Sequence, residues 1–389
     1  ELYKKLQNFI GLAEIKEERK YKLYNNIFIA RAFLKRKLYN QAYNITFKTI
    51  QEAEEFEIYP VLVESYGIMQ FLEKQIGAIK KPNPFKDSFL NDYLDVIEKN
   101  YIFYKSFNTY AHLLNEFSKN GPTRDKFKIL EYEKLVNEIN INYSNGFNIN
   151  KVNLLCLSML GHLNQDTKLL IDSKENLYLN YINNPKFIKH NPTEFFLTCY
   201  NYAGNIIEGN QMDKLSDVLK RLDSLLGSED SLRNKQTFVN GLHLSYNLKM
   251  KRTKKALEYA KEFNGFLENT DDLIYLNFIA VKIVISYITN NQYEAALEPI
   301  NTVLNRNIKN LRKDCYSLLL AYEIIIYAKL EWVDLIDSKI KALDRYLKTH
   351  YNKTAFEKWL IKFLYRTQKV EFKQACIESY NTIESLNTD

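Results

Sequence analysis

Residues 280–304, AVKIVISYITNNQYEAALEPINTVL, carry the pattern from which the fold is read. Ala280, Ile283, Val284, Tyr287 and Ile288 fall at i, i+3, i+4, i+7 and i+8, one apolar stripe of an amphipathic helix. The polar pair Asn290-Asn291 ends that helix. A second begins near Tyr293 and carries Ala296, Leu297, Ile300, Val303 and Leu304. So short a break between two apolar stripes makes the pair an antiparallel helical hairpin. Pro299 falls inside the second helix, where it removes a backbone donor and is expected to kink the segment.

The phrase that opens the second helix recurs. It reads Met212-Asp213-Lys214-Leu215, Thr253-Lys254-Lys255-Ala256, Tyr293-Glu294-Ala295-Ala296, Trp332-Val333-Asp334-Leu335 and Phe372-Lys373-Gln374-Ala375. The last residues of successive copies lie 41, 40, 39 and 40 positions apart. A fixed period near forty with helical patterning inside it marks a stacked helical array. Cys199, Tyr202, Ala203, Ile206 and Ile207 form the same first-helix stripe ahead of Gly209-Asn210, and Leu215, Val218, Leu219, Leu222 and Leu225 answer it. Near the start, Ile29, Ala30 and Phe33 precede Tyr39-Asn40-Gln41-Ala42, a detached hairpin near 23–57.

From about 60 to 190 no period is readable. Helices are expected at 60–79, 87–119, 123–140, 150–163 and 166–184, broken by Lys81-Pro82-Asn83-Pro84, Gly121-Pro122 and Asn145-Gly146. The Pro- and Asn-rich stretch from Asn183 to Pro192 separates an irregular helical region, 1–190, from a regular array, 193–386. The expected fold is all-α, an α-solenoid: a right-handed superhelix of antiparallel hairpins with about eighteen helices.

Bulk composition agrees with helices. Hydrophobic residues are 46% of the 389, aromatics 14%, and only 11 Gly and 7 Pro occur, too few for a turn-rich all-β or a disordered chain. The net charge of +7, from 54 basic and 47 acidic residues, is mild over this length and reads as a solubility feature. No run of 18 apolar residues appears, so no integral membrane segment is expected. Cys156, Cys199, Cys315 and Cys376 show no CxxC spacing, and three sit at apolar helical phases. Isolated reduced thiols suit a cytoplasmic setting. The sequence begins at Glu1, which reads as a trimmed N-terminus and leaves an export signal open.

The hairpin pattern resembles the tetratricopeptide (TPR) repeat superfamily. The matching positions are Ile283, Val284 and Tyr287 with Ala296, Ile300 and Val303, and, near the start, Ile29, Ala30 and Phe33 with Ala42. The resemblance covers about half the chain and departs from the family in period, which is near forty instead of thirty-four. The small residue of the first helix is kept at Ala30 and Ala203 but replaced by Leu244, Val284 and Glu323. The resemblance implies a concave face lined by first-helix positions five and nine. Here those are Tyr200 and Gly204, Gly241 and Ser245, Val281 and Ile285, Leu320 and Ile324, and Leu360 and Leu364. The Lys and Asn pattern of the family's carboxylate clamp is absent from them. From Val281 onward this groove is apolar, and contiguous apolar surface calls for something to cover it.

Motifs for chemistry are sparse. His112, His162, His190, His243 and His350 are scattered, without HExxH or HxH, and read as core or rim residues. GxGxxG, GxxxxGK[ST] and GxSxG are missing. The acidic pairs Asp271-Asp272 and Glu54-Glu55 suit helix starts and polar faces. Neither an enzyme, a metal nor a cofactor is expected. The densest basic run is Lys249, Lys251, Arg252, Lys254 and Lys255, a second runs from Arg306 through Lys309 and Arg312 to Lys313, and both read as solvated turns. The expected function is a non-catalytic scaffold or adaptor that binds a protein or peptide segment in the groove at Tyr200, Ser245, Val281, Ile285, Leu320, Ile324, Leu360 and Leu364. Two alternatives stand beside it: a peptide- or ligand-responsive regulator, and a nucleic-acid-associated scaffold using the basic turns. Self-association could also cover the groove.

Overall fold

The computed structural model describes residues 19–76, 89–140, 146–226, 235–269, 273–305, 312–350 and 355–386. These residues form nineteen α-helices and, among them, no strand. Contacts divide the chain into two compact units. The first holds the described residues up to Tyr110 together with Asn137–Asn153, and the second holds Ala111–Val136 and the described residues from Leu154 onward. Three helices contribute to both: α4 (Phe89–Asn120), α5 (Lys126–Asn140) and α6 (Phe147–Asn164).

In the first unit α1 (Arg19–Lys35), α2 (Tyr39–Glu55) and α3 (Tyr59–Ile76) pack against one another. Leu23, Ile27, Ala30, Ala42, Ile50, Leu62, Tyr66 and Met69 fill the space between them, joined by Val96 and Ile102 of α4 and Ile149 of α6. Two polar ties fix α6. Glu57, in the turn before α3, accepts the backbone N–H groups of Phe147 (2.7 Å) and Asn148 (2.8 Å). Those donors have no partner within their own helix, and a carboxylate suits the positive end of the helix dipole. Ser106 Oγ of α4 donates to Asn153 Oδ1 at 2.8 Å.

The second unit continues with α7 (Thr167–Ile182), α8 (Pro185–His190), α9 (Pro192–Glu208), α10 (Leu215–Leu226), α11 (Lys235–Lys249), α12 (Thr253–Lys261) and α13 (Asn264–Asn269). It ends with α14 (Leu273–Thr289), α15 (Tyr293–Leu304), α16 (Lys313–Lys329), α17 (Val333–His350), α18 (Ala355–Arg366) and α19 (Phe372–Leu386). The stretch Asn183 to Pro192 lies inside this unit. There Asn191 caps α9 by accepting the Glu194 N–H at 3.1 Å, with Pro192 pre-set for the first turn. Each of α9, α11, α14, α16 and α18 packs against the helix that follows it. The first helices of successive pairs also touch, as α9 with α11, α11 with α14 and α14 with α16.

One turn geometry recurs. Lys37, Glu57, Gln165, Asn210, Lys251, Asn291 and Glu331 all have φ between 54° and 60°, two residues before the next helical segment opens. The residue after each donates its N–H back across the turn at 2.8–3.0 Å, for example Arg252 to Asn247, Gln292 to Tyr287 and Trp332 to Tyr327. This is the Schellman closure of a helix C-terminus, with six→one hydrogen bonding around a left-handed residue. Glycine is the usual residue there, and none of these seven positions carries one.

The turn corrects one reading of the repeat. Five residues after the left-handed position stand Ala42, Leu62, Leu215, Ala256 and Ala296, all buried, and by the same count Ile336, which is 1% exposed. Leu335, aligned from sequence as the fourth copy of the phrase, is 46% exposed. The phrase in that unit is therefore Val333-Asp334-Leu335-Ile336, because Trp332 precedes the helix instead of opening it.

Pro299 lies inside α15, as the sequence indicates, and is buried there. Glu323, aligned from sequence with the small residue of the first helix, is one position off by the same slip: the count from Glu331 places Ile324 there, and Glu323 is buried in α16 beside it. Its Oε1 accepts the Tyr327 hydroxyl at 2.8 Å and the Lys339 ammonium of α17 at 2.7 Å, so the carboxylate ties the two helices of the hairpin.

The residues between α4 and α5 reach far along the unit. Thr123 donates its N–H to Leu163 O at 2.9 Å, and Lys313 Nζ donates to Asn120 Oδ1 at 2.8 Å. Arg124 grips both carboxylate oxygens of Glu357 at 2.7 and 3.0 Å. Gly121 has φ 71°, and a Cβ there would meet Asp314 Oδ1 at 2.7 Å, so both conformation and space call for glycine. No helix among the described residues is long and apolar enough to cross a membrane.

Candidate functional site

Within the second unit, α9, α11 and α14 with His162 of α6 enclose a cavity of about 260 Å³. Its floor is aromatic. Ring centroids of Phe238 and Tyr275 lie 4.5 Å apart, Tyr200 and Phe238 5.2 Å, and Tyr200 and Tyr275 6.3 Å, within the range of favourable tilted and edge contacts. The Tyr275 hydroxyl donates to Thr237 O at 2.9 Å. Gly241 permits that approach, since a Cβ there would come within 2.3 Å of the hydroxyl.

One wall is polar. Lys282 Nζ donates to Ser245 Oγ at 2.9 Å and to Glu208 Oε1 at 3.1 Å, linking the three helices, and Ser245 donates in turn to Gly241 O at 2.8 Å. Asn205 is 7% exposed, lines the cavity, and its side chain has no hydrogen-bond partner among the described residues. His162 closes the far side with its ring 4.9 Å from Phe117. Burial first, and then the positive charges of Lys174 and Arg312, push the His162 pKa down to about 3, so the imidazole is neutral at ordinary pH. Lys174 itself is buried in α7 without a hydrogen-bonding or ionic partner among the described residues, and burial pushes it down to about 8. Aromatic faces, one ammonium and a few neutral hydrogen-bonding groups suit binding.

Tyr200, Gly204, Gly241 and Ser245 of the expected groove are brought together here. Val281 and Ile285 are half-buried on α14 beyond the cavity lining, and Leu360 is half-buried on α18. Leu320 at 7% exposure, and Ile324 and Leu364 at 0%, belong to the core. For Leu320 and Ile324 the cause is the slip at Trp332. Ten and six residues before the turn residues Asn210, Lys251 and Asn291 come the groove positions, and the same count from Glu331 reaches Ala321 and Ile325. Helix α16 is also apolar nearly all round, and such a helix is buried.

Lys249, Lys251, Arg252, Lys254 and Lys255 are exposed around one turn and the start of α12. Lys249 donates to Glu208 O at 3.1 Å, and Arg252 lies over the Tyr246 ring. In the second basic run, Arg306 and Lys309 lie outside the described residues. Arg312 is not a solvated turn residue: it pairs with Asp314 at 3.0 and 2.6 Å and stacks over Phe117 at 4.5 Å. Asp271 and Asp272 also lie outside the described residues. Burial pushes the Cys156, Cys199 and Cys315 thiols up to about 12, which suits packing and not nucleophilic chemistry.

Phe238, Tyr275, Asn205, Lys282 and His162 were not singled out for this site by sequence reasoning. Lys282 follows Val281 by one residue, and a wider reading of each helix face would have included it. His162 comes from the non-periodic region, where no register pointed to the groove. Comparisons with protein-family models, with curated proteins and with solved structures return no match to this chain.

Proposed function

We propose that the chain is a non-catalytic scaffold of TPR-like stacked hairpins that binds a segment of a partner protein. In this reading the cavity between α9, α11 and α14 receives an apolar or aromatic anchor side chain of that segment. The observation that carries it is positional: equivalent residues of two successive units, Tyr200 and Gly204 with Gly241 and Ser245, line a single cavity. Its volume falls just under the ~300 Å³ where small-molecule sites begin, which suits one anchoring side chain.

Gly204→Leu tests the reading. A Cβ at Gly204 meets only Leu242, at an ordinary 3.8 Å, so the helix backbone there accepts a side chain, and Gly204 lines the cavity that side chain would fill. Replacing a mid-helix glycine also favours the helix. A displayed peptide library selected on the wild-type protein should return segments sharing a large apolar anchor, and Gly204→Leu should lose them while its melting temperature holds or rises. Peptides that bind both proteins equally would sink the reading, and so would a selection that enriches nothing.

A further inference from the structure

Helix α4 carries a second apolar face. Leu90, Leu94, Ile97, Tyr101 and Tyr104 are between 41% and 66% exposed and follow one another at intervals of four, three, four and three residues. That alternation is the a/d spacing of a coiled-coil seam. At 100° per residue it forms a narrow stripe opposite the face that buries Val96, Ile102, Ser106 and Thr109 in the first unit. The stripe thus lies on the side of α4 turned away from its own core. A row of large apolar side chains left in water on a well-packed helix marks an interaction surface.

We infer that α4 pairs with α4 of a second copy of this chain, in parallel, through the stripe from Leu90 to Tyr104. Three observations single out this occupant. A heptad stripe on one helix is self-complementary under a two-fold axis, as an isologous contact requires. The exposed fractions of these five side chains leave about 500 Å² per copy, so pairing removes at most about 1,000 Å², the lower edge of specific interfaces. Charge selects the orientation. The flanking positions are Asn91, Glu98 and Lys105 on one side and Tyr93, Asn100 and Phe107 on the other. Lys105 pairs with Glu138 at 3.6 Å and Tyr93 stacks on Tyr66, so the charge bordering the seam is Glu98, which antiparallel pairing sets against Glu98 of the second copy and parallel pairing does not. Asn108 is exposed and falls on the same stripe one step beyond Tyr104, where a single polar residue specifies register in parallel pairs.

An interface at this lower edge of size gives a dimer that exchanges reversibly with monomer. Light scattering and sedimentation equilibrium of the purified full chain over a concentration series should show reversible dimerisation. The double variant Leu94→Glu/Tyr101→Glu should be monomeric at every concentration with an unchanged circular dichroism spectrum, since both side chains are exposed. Leu94→Cys in a Cys376→Ser background should form an intermolecular disulfide on mild oxidation, because seam residues of a parallel pair face their own equivalents. A wild-type chain that stays monomeric throughout would overturn the inference and leave the stripe to a different protein. A dimer that survives the double variant would place the contact elsewhere. A dimer without the Leu94→Cys cross-link would exclude the parallel register.

Discussion

Replacing Lys251 and Glu331 by glycine should stabilise the second unit. Their φ values are 56° and 60°, in the left-handed region, and both side chains are exposed. An L-residue with a Cβ costs roughly 1–2 kcal/mol in that conformation, and glycine does not. Glycine returns about 0.4–1 kcal/mol of this through the greater freedom of the unfolded chain. The net gain is about 0.5–1 kcal/mol per turn, hence about 1–2 kcal/mol for Lys251→Gly/Glu331→Gly, whose sites share no partner. For a unit of this size that raises the thermal midpoint by about 2–4 °C, measured by circular dichroism. Two controls sharpen the test. Asn291→Gly should gain nothing, because Asn tolerates positive φ and Asn291 Oδ1 accepts the Tyr293 hydroxyl at 2.8 Å. Lys255→Gly, on the exposed face of α12, should lose about 1 kcal/mol. If the double variant melts at or below the wild-type midpoint while Lys255→Gly behaves as expected, these turns do not hold a left-handed residue in solution.

Two further outcomes follow from burial. The Lys174 pKa near 8 lies below its ordinary 10.5, so between those values the unfolded chain binds a proton that the folded chain has released, and this residue makes stability rise with pH across that window. Lys174→Met should therefore stabilise the protein at neutral pH by about 3 kcal/mol and flatten the rise, as urea titrations on either side of pH 8 would show. Ile324→Asp sets a carboxyl in a fully buried site and should cost more than about 4 kcal/mol, whereas Ile285→Asp, half-buried, should cost about 1–2 kcal/mol and keep the helical spectrum; equal losses in thermal melts would contradict the register assigned to α16.

Helices were legible wherever an apolar stripe met a strong break. The expected helices 150–163 and 166–184 lie within about three residues of α6 and α7 at each end, the start of 60–79 and the end of 87–119 lie within one residue of those of α3 and α4, and residues 77–79 and 87–88 lie outside the described residues. The hairpin pattern was legible because the residues five positions beyond six of the seven turns are buried and all are Ala, Leu or Ile, a constraint that survives in composition. What misled was Trp332: a bulky residue looks like the start of the repeated phrase, and only the backbone shows Glu331, one residue earlier, as the turn that sets the register. A slip of one residue turns a helix by about 100°, enough to carry Leu320 and Ile324 from groove to core. The cavity was half legible. Tyr200 and Ser245 were reached by counting along the sequence period, but His162 comes from a helix with no counting frame, and neither Phe238 nor Tyr275 falls on the two positions followed.

The Arg124–Glu357 grip joins residues 233 positions apart. Bringing together the ends of a chain segment that long costs about 5 kcal/mol in loop entropy. Neighbour-to-neighbour hairpins can each form early from local contacts, but this clasp can close only after the helices between its ends are in place, so it belongs to the last stage of folding. Once made, it changes how the unit comes apart. Helices that touch only their neighbours in sequence can detach in turn, whereas those tied by this clasp must lose it before the helix carrying Glu357 can detach. The second unit therefore unfolds more nearly as a whole than its neighbour-to-neighbour helix contacts alone would dictate.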